Sequence, residues 1–478
     1  MQKMEKFTEY QANREKHWDT VARQLDQWKG WGGYYRSRLE KAYRFIIPSG
    51  MDILEIGCAR GDLLASLEPR HGVGIDLSAE MIERAQLRHP ELHCIHADIH
   101  EVELQEKFDY IILSDLINDL WDVETVFHKI RSWSKPNTRI ILNYYNRVWE
   151  WPLALAQKLH LATPTLPQNW LSKDDVKNLL YLGGFEIIRE WEEVLSPLPV
   201  PILAPLCNRF LVRTWLFRWL AMTAFTLARP LPVAGDGDKK ASVTVVVPAR
   251  NEAGNIKQIF ERVPQMGSGT ELIFVEGHSQ DDTYEVIQQE MKAHPKVDSR
   301  LFRQEGKGKG DAVRLGYSHA KGDILMILDA DLTVPPEDLP RFYHAIQSGK
   351  GDFINGVRLV YPMEKQAMRF FNYIGNKTFS LLFSYLLDQP VKDTLCGTKV
   401  LWKKDYEQIA ANRSYFGDFD PFGDFDLLFG AAKLNLKIID LPIRYKERTY
   451  GTTNIQRWKH GWLLVKMVFF AARRIKFV

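Results

Sequence analysis

The sequence predicts an α/β protein with two doubly wound domains, one after the other along the chain. Apolar, β-branched runs alternate with helix-like stretches, and this pattern is typical of parallel sheets covered by helices. The alternation occurs twice, first from Asp52 and again from Ser242. Between the two, Leu231–Lys240 is rich in Pro, Gly and charge and is the best linker candidate. A length of 478 residues also favours two or three domains.

Each domain has six predicted strands. In the first domain they are 52–56, 72–76, 92–97, 108–114, 139–143 and 185–190. In the second they are 243–248, 271–276, 299–304, 323–328, 352–356 and 437–441. The charged and aromatic residues before Asp52 are expected to be helical. We expect domains at 1–232 and 242–478, joined by a linker at 233–241.

Composition indicates a soluble globular protein that does not bind nucleic acid. The hydrophobic fraction is 45% and the charged fraction 26%, while a net charge of +3 gives no basis for polyanion binding. Four scattered cysteines form no C-x-x-C pair, which suits a reducing cytosol. Met1–Tyr35 has no apolar stretch typical of a signal peptide. The predicted location is the cytoplasm.

Two apolar segments are candidates for lying flat on a membrane, although neither is long enough to span one. Phe210–Ala228 carries Arg213 and Arg218, and Trp462–Ala472 runs into a basic stretch. Tryptophan suits the headgroup level, and basic side chains suit lipid phosphates. These segments would give peripheral contact with the inner face of the cytoplasmic membrane. Packing of each on its own domain is the equal alternative.

A turn of small residues follows the first predicted strand. Gly57, Ala59 and Gly61 let the backbone approach a ligand beyond the carboxyl ends of the strands. Their Gly-x-Ala-x-Gly spacing disfavours a dinucleotide pyrophosphate. Asp76 ends the second strand, where an acid can accept both ribose hydroxyls. Asp98 ends the third strand, where an acid typically receives an adenine amino group.

These motifs resemble the class I S-adenosylmethionine-dependent methyltransferases, from about Tyr43 to Asn146. Glu55-x-Gly57-x-Ala59-x-Gly61 is similar to the first family motif, with Ala59 replacing a middle glycine. Lys135-Pro136-Asn137 resembles the turn before the fifth strand. A domain that keeps this fold without turnover is the alternative. The resemblance implies S-adenosylmethionine (SAM) as cofactor, bound by Glu55, Gly57, Ala59, Gly61, Asp76 and Asp98.

The methyl acceptor site is expected after the fourth strand. Asp115 or Asp119 can act there as general base for a hydroxyl, or can cap the next helix. Other candidates for lining this pocket are His17, Tyr34, Tyr35 and Asn143–Asn146.

Acidic and basic groups follow strands of the second domain. Val243–Val247 reads as a buried parallel strand, and Asn251 and Glu252 come just after it, where they can cap a helix or contact a ligand. Asp329 and Asp331 follow another buried strand and can hold a divalent ion such as Mg²⁺ or Mn²⁺, which neutralises a diphosphate. Lys307–Ala312 is a cationic, glycine-rich helix start suited to phosphates.

This part of the chain resembles the family 2 glycosyltransferases of GT-A fold, most of all the dolichyl-phosphate mannose synthase type, from about Ser242 to Thr453. Asp329-Ala330-Asp331 matches the metal motif, Asp393–Gly397 is similar to the acceptor-side motif, and Arg448–Thr453 resembles the phosphate-binding loop. The resemblance implies nucleotide-sugar contacts at Pro248, Ala249, Arg250, Glu252, Glu276, Lys309, Asp329 and Arg448.

Three departures from the family pattern bear on specificity. Gly277 replaces the second of two usual aspartates, and Asn454 stands where lysine is usual. A processive Gln-x-x-Arg-Trp motif is absent, because Asn454 precedes Arg457-Trp458. The expected mechanism is inverting and in-line. A hydroxyl acceptor needs a base, for which Asp424 or Asp426 is the candidate, with helix capping as the alternative.

The sequence thus predicts a bifunctional transferase that combines SAM-dependent methylation with sugar transfer to a polyprenyl-phosphate or glycan acceptor. The expected setting is assembly of a methylated cell-envelope glycan or glycolipid, since fusion gives two activities a high mutual concentration. Two alternatives stay open. The first is a glycosyltransferase whose front domain only senses SAM or anchors a partner, and the second is a membrane-associated scaffold without catalysis.

Overall fold

The protein folds into two compact units, Met1–Leu231 and Pro232–Lys476. The computed structural model describes residues 2–25, 32–159, 162–232, 240–361, 370–415, 423–448, 450 and 457–477. Residues 233–239, most of the predicted linker, lie outside this set.

Unit 1 contains one seven-stranded sheet among the residues described. Its strands are β1 (Asp52–Ile56), β2 (His71–Asp76), β3 (His93–His96), β4 (Phe108–Ser114), β5 (Ser134–Tyr145), β6 (Phe185–Glu193) and β7 (Thr223–Pro230). Its helices are α1 (Gln2–Leu25), α2 (Gly32–Ile46), α3 (Asp62–Ser66), α4 (Ala79–Arg88), α5 (Val123–Ser132), α6 (Glu150–Lys158), α7 (Lys173–Leu182) and α8 (Leu203–Arg209).

The order of strands in this sheet is β3-β2-β1-β4-β5-β7-β6. Strands β1 to β5 are parallel, and β7 runs antiparallel to both β5 and β6. Successive residues of β4 enter different cores: Tyr110 and Ile112 pack in one, and Ile111 and Leu113 in the other. The central strands are therefore buried on both faces, and polar groups collect at the edge where the strands end.

Unit 2 also contains a seven-stranded sheet in its described part. Its strands are β8 (Val243–Ala249), β9 (Thr270–Glu276), β10 (Asp298–Arg303), β11 (Ile324–Ile327), β12 (Phe353–Val357), β13 (Lys399–Trp402) and β14 (Ile438–Pro442). Its helices are α9 (Ala253–Arg262), α10 (Thr283–Ala293), α11 (Lys309–Ser318), α12 (Leu339–Gln347), α13 (Phe370–Leu387), α14 (Lys403–Ala411), α15 (Asp424–Lys433) and α16 (Arg457–Ala471).

The second sheet has the order β10-β9-β8-β11-β13-β12-β14. Strands β8 to β11 are parallel, whereas β13 is antiparallel to both β11 and β12. Alternate residues of β8 again face opposite cores, with Val246 in one and Val245 and Val247 in the other. This sheet too is covered on both faces.

The predicted α/β class with two doubly wound sheets is confirmed, but the sheets are mixed rather than purely parallel. Each contains one antiparallel strand that the sequence pattern missed. Strand β7 follows a mostly apolar stretch, so its start is not marked by a clear change in periodicity. Strand β13 has only four residues, too short for a period of two to stand out.

The two predicted membrane-surface segments have different structures. Of the segment Phe210–Ala228, residues from Thr223 onward do not lie at the surface, because Thr223–Pro230 is a fully buried strand between β5 and β6. Before that strand, Phe210, Trp215 and Trp219 are exposed. Trp462–Ala472 lies mostly in α16, whose Leu464 and Met467 enter a core while Trp462 and Phe469 stay exposed. Within the described residues, we find no helix with the length and hydropathy needed to cross a bilayer.

Close packing of α11 on β8 depends on Gly316. A Cβ at this position would overlap both γ-methyl groups of Val246. We predict that Gly316→Ala destabilises the protein by about 1–3 kcal/mol through overpacking. The matched control is Gly375→Ala in α13, where a Cβ meets nothing within 4 Å and removing a helical glycine stabilises by up to about 1 kcal/mol. Denaturant unfolding of both variants measures the difference; equal effects would contradict this packing.

Candidate active sites

The small-residue turn after β1 has a left-handed backbone. Gly57 and Gly61 have φ values of 75° and 73°, and Ala59 adopts φ 46° although it has a Cβ. A Cβ on Gly57 would lie 3.0 Å from Leu116 Cδ1, so glycine keeps the turn clear of the segment after β4. The turn is tied to β2, because Gly57 N–H and Cys58 N–H both donate to Ile75 O.

Asp76 joins the turns after β1 and β2. Its Oδ2 accepts from Ala59 N–H at 2.8 Å and its Oδ1 from Ser78 N–H at 2.9 Å. Burial raises the pKa of Asp76, and the two backbone donors oppose that increase. The structure thus brings the predicted ribose acid against the predicted turn and fixes both carboxyl oxygens.

Helix α1 contributes residues to this edge that sequence reasoning missed. Gln11 Nε2 donates to Asp98 at 2.7 Å, and Trp18 Nε1 donates to Asp119 at 2.9 Å. His100 also holds Asp98, through its backbone N–H at 2.7 Å and its ring Nδ1 at 2.6 Å. Gln11 and Asp98 are 87 residues apart, and no local pattern signals their contact.

Glu55 is a buried acid on β1, directly before the turn. Burial raises the pKa of Glu55 well above its ordinary value. Its Oε2 has no hydrogen-bond partner among the described residues. A buried oxygen without a partner beside a ligand-binding turn is a group that a bound molecule can satisfy.

Asp115 lies at the centre of a polar network after β4, with a positive φ of 53°. Its Oδ1 accepts from Tyr35 Oη at 3.0 Å and Asn143 Nδ2 at 2.6 Å. Tyr43 Oη in turn donates to Asn143 Oδ1 at 2.7 Å. Burial raises the pKa of Asp115 to about 7. A carboxyl that titrates near neutral pH is suited to general acid–base chemistry.

The other acceptor-side candidates are dispersed. Asp122 caps α5, so helix capping does not explain Asp115 or Asp119. Tyr145 stacks on Tyr35 at 6.2 Å between ring centroids, beside the Asp115 network. The remaining candidates make no hydrogen bond to Asp115. His17 bonds to Pro164 O, Tyr34 accepts from Asn208, and Asn146 bonds to Val148 N–H and Trp219 O. The Tyr144 side chain is buried in the core.

In unit 2, a chain of ion pairs holds the two acids after β11. Lys309 Nζ lies 2.5 Å from Asp329, and Arg448 lies 2.6 Å from Asp331. Arg448 also pairs with Glu252 at 3.1 Å. Burial alone would raise the pKa of Asp329, but Lys309 keeps that pKa below its ordinary value. Burial raises the pKa of Glu252 to about 7.

The remaining residues that were predicted to contact the nucleotide-sugar lie at or just after the ends of β8 and β9. Ala249 is paired in register with Glu276, and Pro248 precedes it on β8. Glu276 Oε1 accepts from Ser279 N–H at 2.5 Å. Arg250 is exposed. Glu252 precedes α9, yet its side chain makes no cap and instead accepts from Asn255 Nδ2 at 2.8 Å.

Two glycines bring further segments close to Lys309, the first residue of α11. A Cβ on Gly397 would overlap Lys309 Nζ and the Asp329 carboxylate, so the Asp393–Gly397 motif lies directly against this ion pair. A Cβ on Gly423, the residue before α15, would lie 2.6 Å from Gly310 Cα. Gly397 belongs to the predicted acceptor-side motif, but its position against Lys309 and Asp329 was not predicted from the sequence.

The two base candidates at the start of α15 differ in what the structure describes. Asp426 lies 3.4 Å from Arg413 and 3.7 Å from Arg314, in a cavity of about 160 Å³. The side chain of Asp424 lies outside the described residues. Gly423 is the N-cap of α15, so neither aspartate is. Of the phosphate-loop motif, Thr449 and Gly451–Thr453 lie outside the described residues, as does Asn454.

A buried ion pair that was not predicted from the sequence holds the first residue of the acceptor-side motif, Asp393, in place. The Arg358 guanidinium donates two hydrogen bonds to Asp393, at 2.7 and 2.9 Å, and the Arg358 backbone N–H donates another at 3.1 Å. Asn376 Nδ2 and Leu395 N–H also donate to Asp393, at 2.9 and 3.1 Å. Burial opposes ionisation of Asp393, but Arg358 lowers its pKa to about 2. The charged pair fixes the chain just before Gly397.

The acids of unit 2 suit a hard cation by chemistry. No group of three or more His, Cys, Asp or Glu side chains converges to hold a metal in the part of the chain that the structure describes. Asp329 and Asp331 offer carboxylate oxygens, the ligands that Mg²⁺ prefers, and Mg²⁺ sites commonly use one or two carboxylates with substrate phosphates. The donor set therefore fits a cation that arrives with a diphosphate.

Two family models match the chain. Residues 31–190 match the methyltransferase domain model, and residues 244–409 match glycosyl transferase family 2. The chain therefore joins a methyltransferase-family domain to a family 2 glycosyltransferase domain.

The relatives are named as transferases. The chain is 27% identical over 247 residues to a dolichol-phosphate mannosyltransferase of Pyrococcus furiosus, covering 49% of this chain and 67% of the relative. It is 24% identical to the low-salt glycan biosynthesis hexosyltransferase Agl6 of Haloferax volcanii, covering 51% and 56%. A solved SAM-dependent methyltransferase of Thermotoga maritima, described as a possible histamine N-methyltransferase, matches with a TM-score of 0.38 and 14% identity, over 45% of this chain and 99% of that one.

Asp115 predicts a pH-dependent stability. The pKa of Asp115 is about 7 in the folded protein and 3.8 in the unfolded chain, so between these values the folded protein retains a proton that the unfolded chain releases. The contribution of Asp115 to the free energy of unfolding therefore falls as pH rises from 3.8 to 7. As pH rises, the free energy of unfolding of Asp115→Asn should therefore increase relative to that of the natural protein, by up to about 4 kcal/mol at pH 8. Unfolding midpoints of both proteins between pH 4.5 and 8 measure the gap.

Asp175 provides a control of opposite sign. It accepts from Ser172 in a capping box, and these hydrogen bonds lower its pKa. The advantage of the natural protein over Asp175→Asn should be present above pH 4 and disappear as pH falls, so the unfolding midpoints of this pair are also measured between pH 2.5 and 4.5. A gap for Asp115→Asn that does not change with pH would contradict the buried-acid interpretation.

Proposed function

We propose that this protein transfers a methyl group from SAM at unit 1 and a sugar from a nucleotide-sugar at unit 2. The sugar acceptor is a polyprenyl phosphate or a glycan, and the product is a methylated glycan or glycolipid of the cell envelope. The observation that carries the proposal is one preorganised set of acids at the carboxyl edge of each sheet.

At unit 1 the residues fit a nucleoside with a cationic centre. Asp76 would hold the ribose and Asp98 the adenine amino group, while the Gly57–Gly61 turn allows close approach of the backbone. The Glu55 oxygen that has no partner among the described residues offers a further acceptor beside this turn. SAM would supply an electrophilic methyl group, and residues of unit 1 would bind SAM and remove the proton of the acceptor.

Asp115 is the proposed general base for the methyl acceptor. Tyr35 and Asn143 both donate to Oδ1, which orients the carboxyl and directs Oδ2 as the oxygen that takes a proton. Its pKa near 7 means that a substantial fraction is ionised at neutral pH, yet the protonated form is also stable. An oxygen acceptor with a removable proton therefore suits this site.

At unit 2 the residues fit a nucleoside diphosphate. Asp329 and Asp331 would hold Mg²⁺ or Mn²⁺, which supplies Lewis-acid neutralisation of the diphosphate. Lys309 and Arg448 lie against these acids and bring positive charge to the leaving group. The start of α11 adds backbone N–H groups, which favour anions. Glu252, Glu276 and the end of β8 surround the same edge.

The sugar acceptor determines whether a base is needed. A polyprenyl phosphate is already ionised and attacks without one. A hydroxyl acceptor needs proton removal, for which Asp426 is the described candidate, with Arg314 and Arg413 holding its charge. The relative named dolichol-phosphate mannosyltransferase favours the lipid phosphate.

The two-site proposal predicts separable losses. Asp331→Asn should reduce sugar transfer on the order of a hundredfold, because one preorganised charge is lost. SAM binding should remain unchanged. Asp76→Asn should weaken SAM binding and leave sugar transfer unchanged. Sugar transfer and calorimetric SAM binding, measured on the same preparations, test both variants.

Asp338→Asn is the matched control for Asp331→Asn. Asp338 also pairs with an arginine, Arg341 at 3.2 Å, but lies at the start of α12. This variant should keep both functions. Joint loss of sugar transfer and SAM binding in Asp331→Asn would contradict two separate sites.

A further inference from the structure

Within the described part of unit 1, three strongly exposed tryptophans lie in two short segments. Trp151 and Trp215 are 82% and 81% exposed, and Trp219 is 57% exposed. Further exposed apolar side chains come from the same segments and from the chain around α8. We call this set the tryptophan rim; its members are Val148, Trp151, Leu155, Leu159, Leu198, Val200, Ile202, Leu203, Leu206, Phe210, Trp215, Leu216 and Trp219.

All parts of the rim leave the sheet at one edge. The segment before α6 follows the carboxyl end of β5, and the α8 segment follows that of β6. The segment with Trp215 and Trp219 leads into β7, whose first residue Thr223 is paired with Tyr145 and Glu193, the last residues of β5 and β6. This is also the edge of Asp115, because Ser114 at the end of β4 pairs with Asn143.

Hydrogen bonds join the segments of the rim. Trp149 Nε1 donates to Leu220 O at 2.8 Å, and Asn146 Nδ2 donates to Trp219 O at 3.1 Å. On the other side, Asn208 of α8 exchanges hydrogen bonds with the backbone of Ser196 at 2.7 Å. The exposed side chains therefore stand on an ordered support rather than on separate loops.

The rim is basic. No acidic residue occurs between Val194 and Met222. Arg209 and Arg218 are exposed within this stretch, and Arg147 and Lys158 are exposed on the α6 side. Exposed tryptophan and leucine bordered by arginine and lysine fit the interface of a bilayer with anionic lipid, where tryptophan lies at the headgroup level.

We propose that the tryptophan rim docks unit 1 on an anionic lipid bilayer. The rim is linked through α2 to the proposed methyl acceptor site, because Tyr34 Oη accepts from Asn208 of α8 and its neighbour Tyr35 donates to Asp115. Docking there presents the pocket to molecules anchored in the membrane. Resting on the proposed function, we assign the methyl acceptor to the class of lipid-linked saccharides.

Vesicle flotation of the full chain tests the docking surface. The probes are vesicles of phosphatidylcholine alone and of phosphatidylcholine with phosphatidylglycerol. The protein should float with the anionic vesicles, and the triple variant W151Q/W215Q/W219Q should lower the partition coefficient at least about tenfold, because three large apolar side chains no longer insert. R209Q/R218Q should weaken binding to the anionic vesicles only.

Two control variants identify the surface that binds. L87Q/Y181Q/L182Q removes exposed apolar side chains elsewhere on unit 1 and should leave flotation unchanged. W462Q/F469Q removes exposed side chains of α16. The proposal is overturned if the protein stays unbound with both vesicles, or if only W462Q/F469Q abolishes flotation. A dimer that the rim variant converts to monomer would assign the rim to a second copy of the chain and also overturn it.

The acceptor assignment has its own readout. With labelled SAM and membranes from cells that lack the protein, label should enter the organic-soluble saccharide fraction. Label confined to water-soluble glycans overturns the lipid-linked acceptor, and so does label in neither fraction when SAM binding is retained. Failure of the proposed methyl transfer is separate, because it shows as absence of SAM binding and of label while flotation is retained.

Discussion

Strands buried on both faces leave the carboxyl edge of each sheet as the place where polar side chains can meet. At that edge Asp76 ends β2 and Asp115 follows β4 in unit 1, and Arg448 joins Glu252 to Asp331 in unit 2. Each acid is partly removed from water and therefore needs a partner. These partners fix the carboxyl groups in position before a ligand binds, which is the condition for electrostatic preorganisation.

The two edges satisfy their acids by different means, and the difference suits different chemistry. In unit 1 the donors are neutral, namely backbone N–H groups for Asp76 and Tyr35 with Asn143 for Asp115, so burial prevails and raises the pKa of both acids. In unit 2 the cation Lys309 keeps the pKa of Asp329 below its ordinary value, whereas burial still raises the pKa of Glu252 beside Arg448. The first arrangement suits proton transfer, and the second suits a site for a cation with a diphosphate.

The sequence predicted features that depend on local pattern. Strand ends and their acids were found because a buried strand followed by a polar residue is a short-range signal. Contacts made only by tertiary packing were not found: Gln11 reaches Asp98 from a helix 87 residues away, and Arg358 binds Asp393 across 35 residues. Strand β7 was missed because its apolar residues continue the run before it, and only pairing with β5 and β6 decides its structure.

The most direct measurement of the central claim, two transferases that serve one product, is mass spectrometry of lipid and glycan extracts. Cells lacking the protein are compared with the same cells restored with the natural chain or with a chain disabled at one site. Two separate sites predict a glycan or glycolipid that lacks only its methyl group when unit 1 is disabled, and lacks the sugar when unit 2 is disabled. Identical extracts from all of these cells would contradict the account.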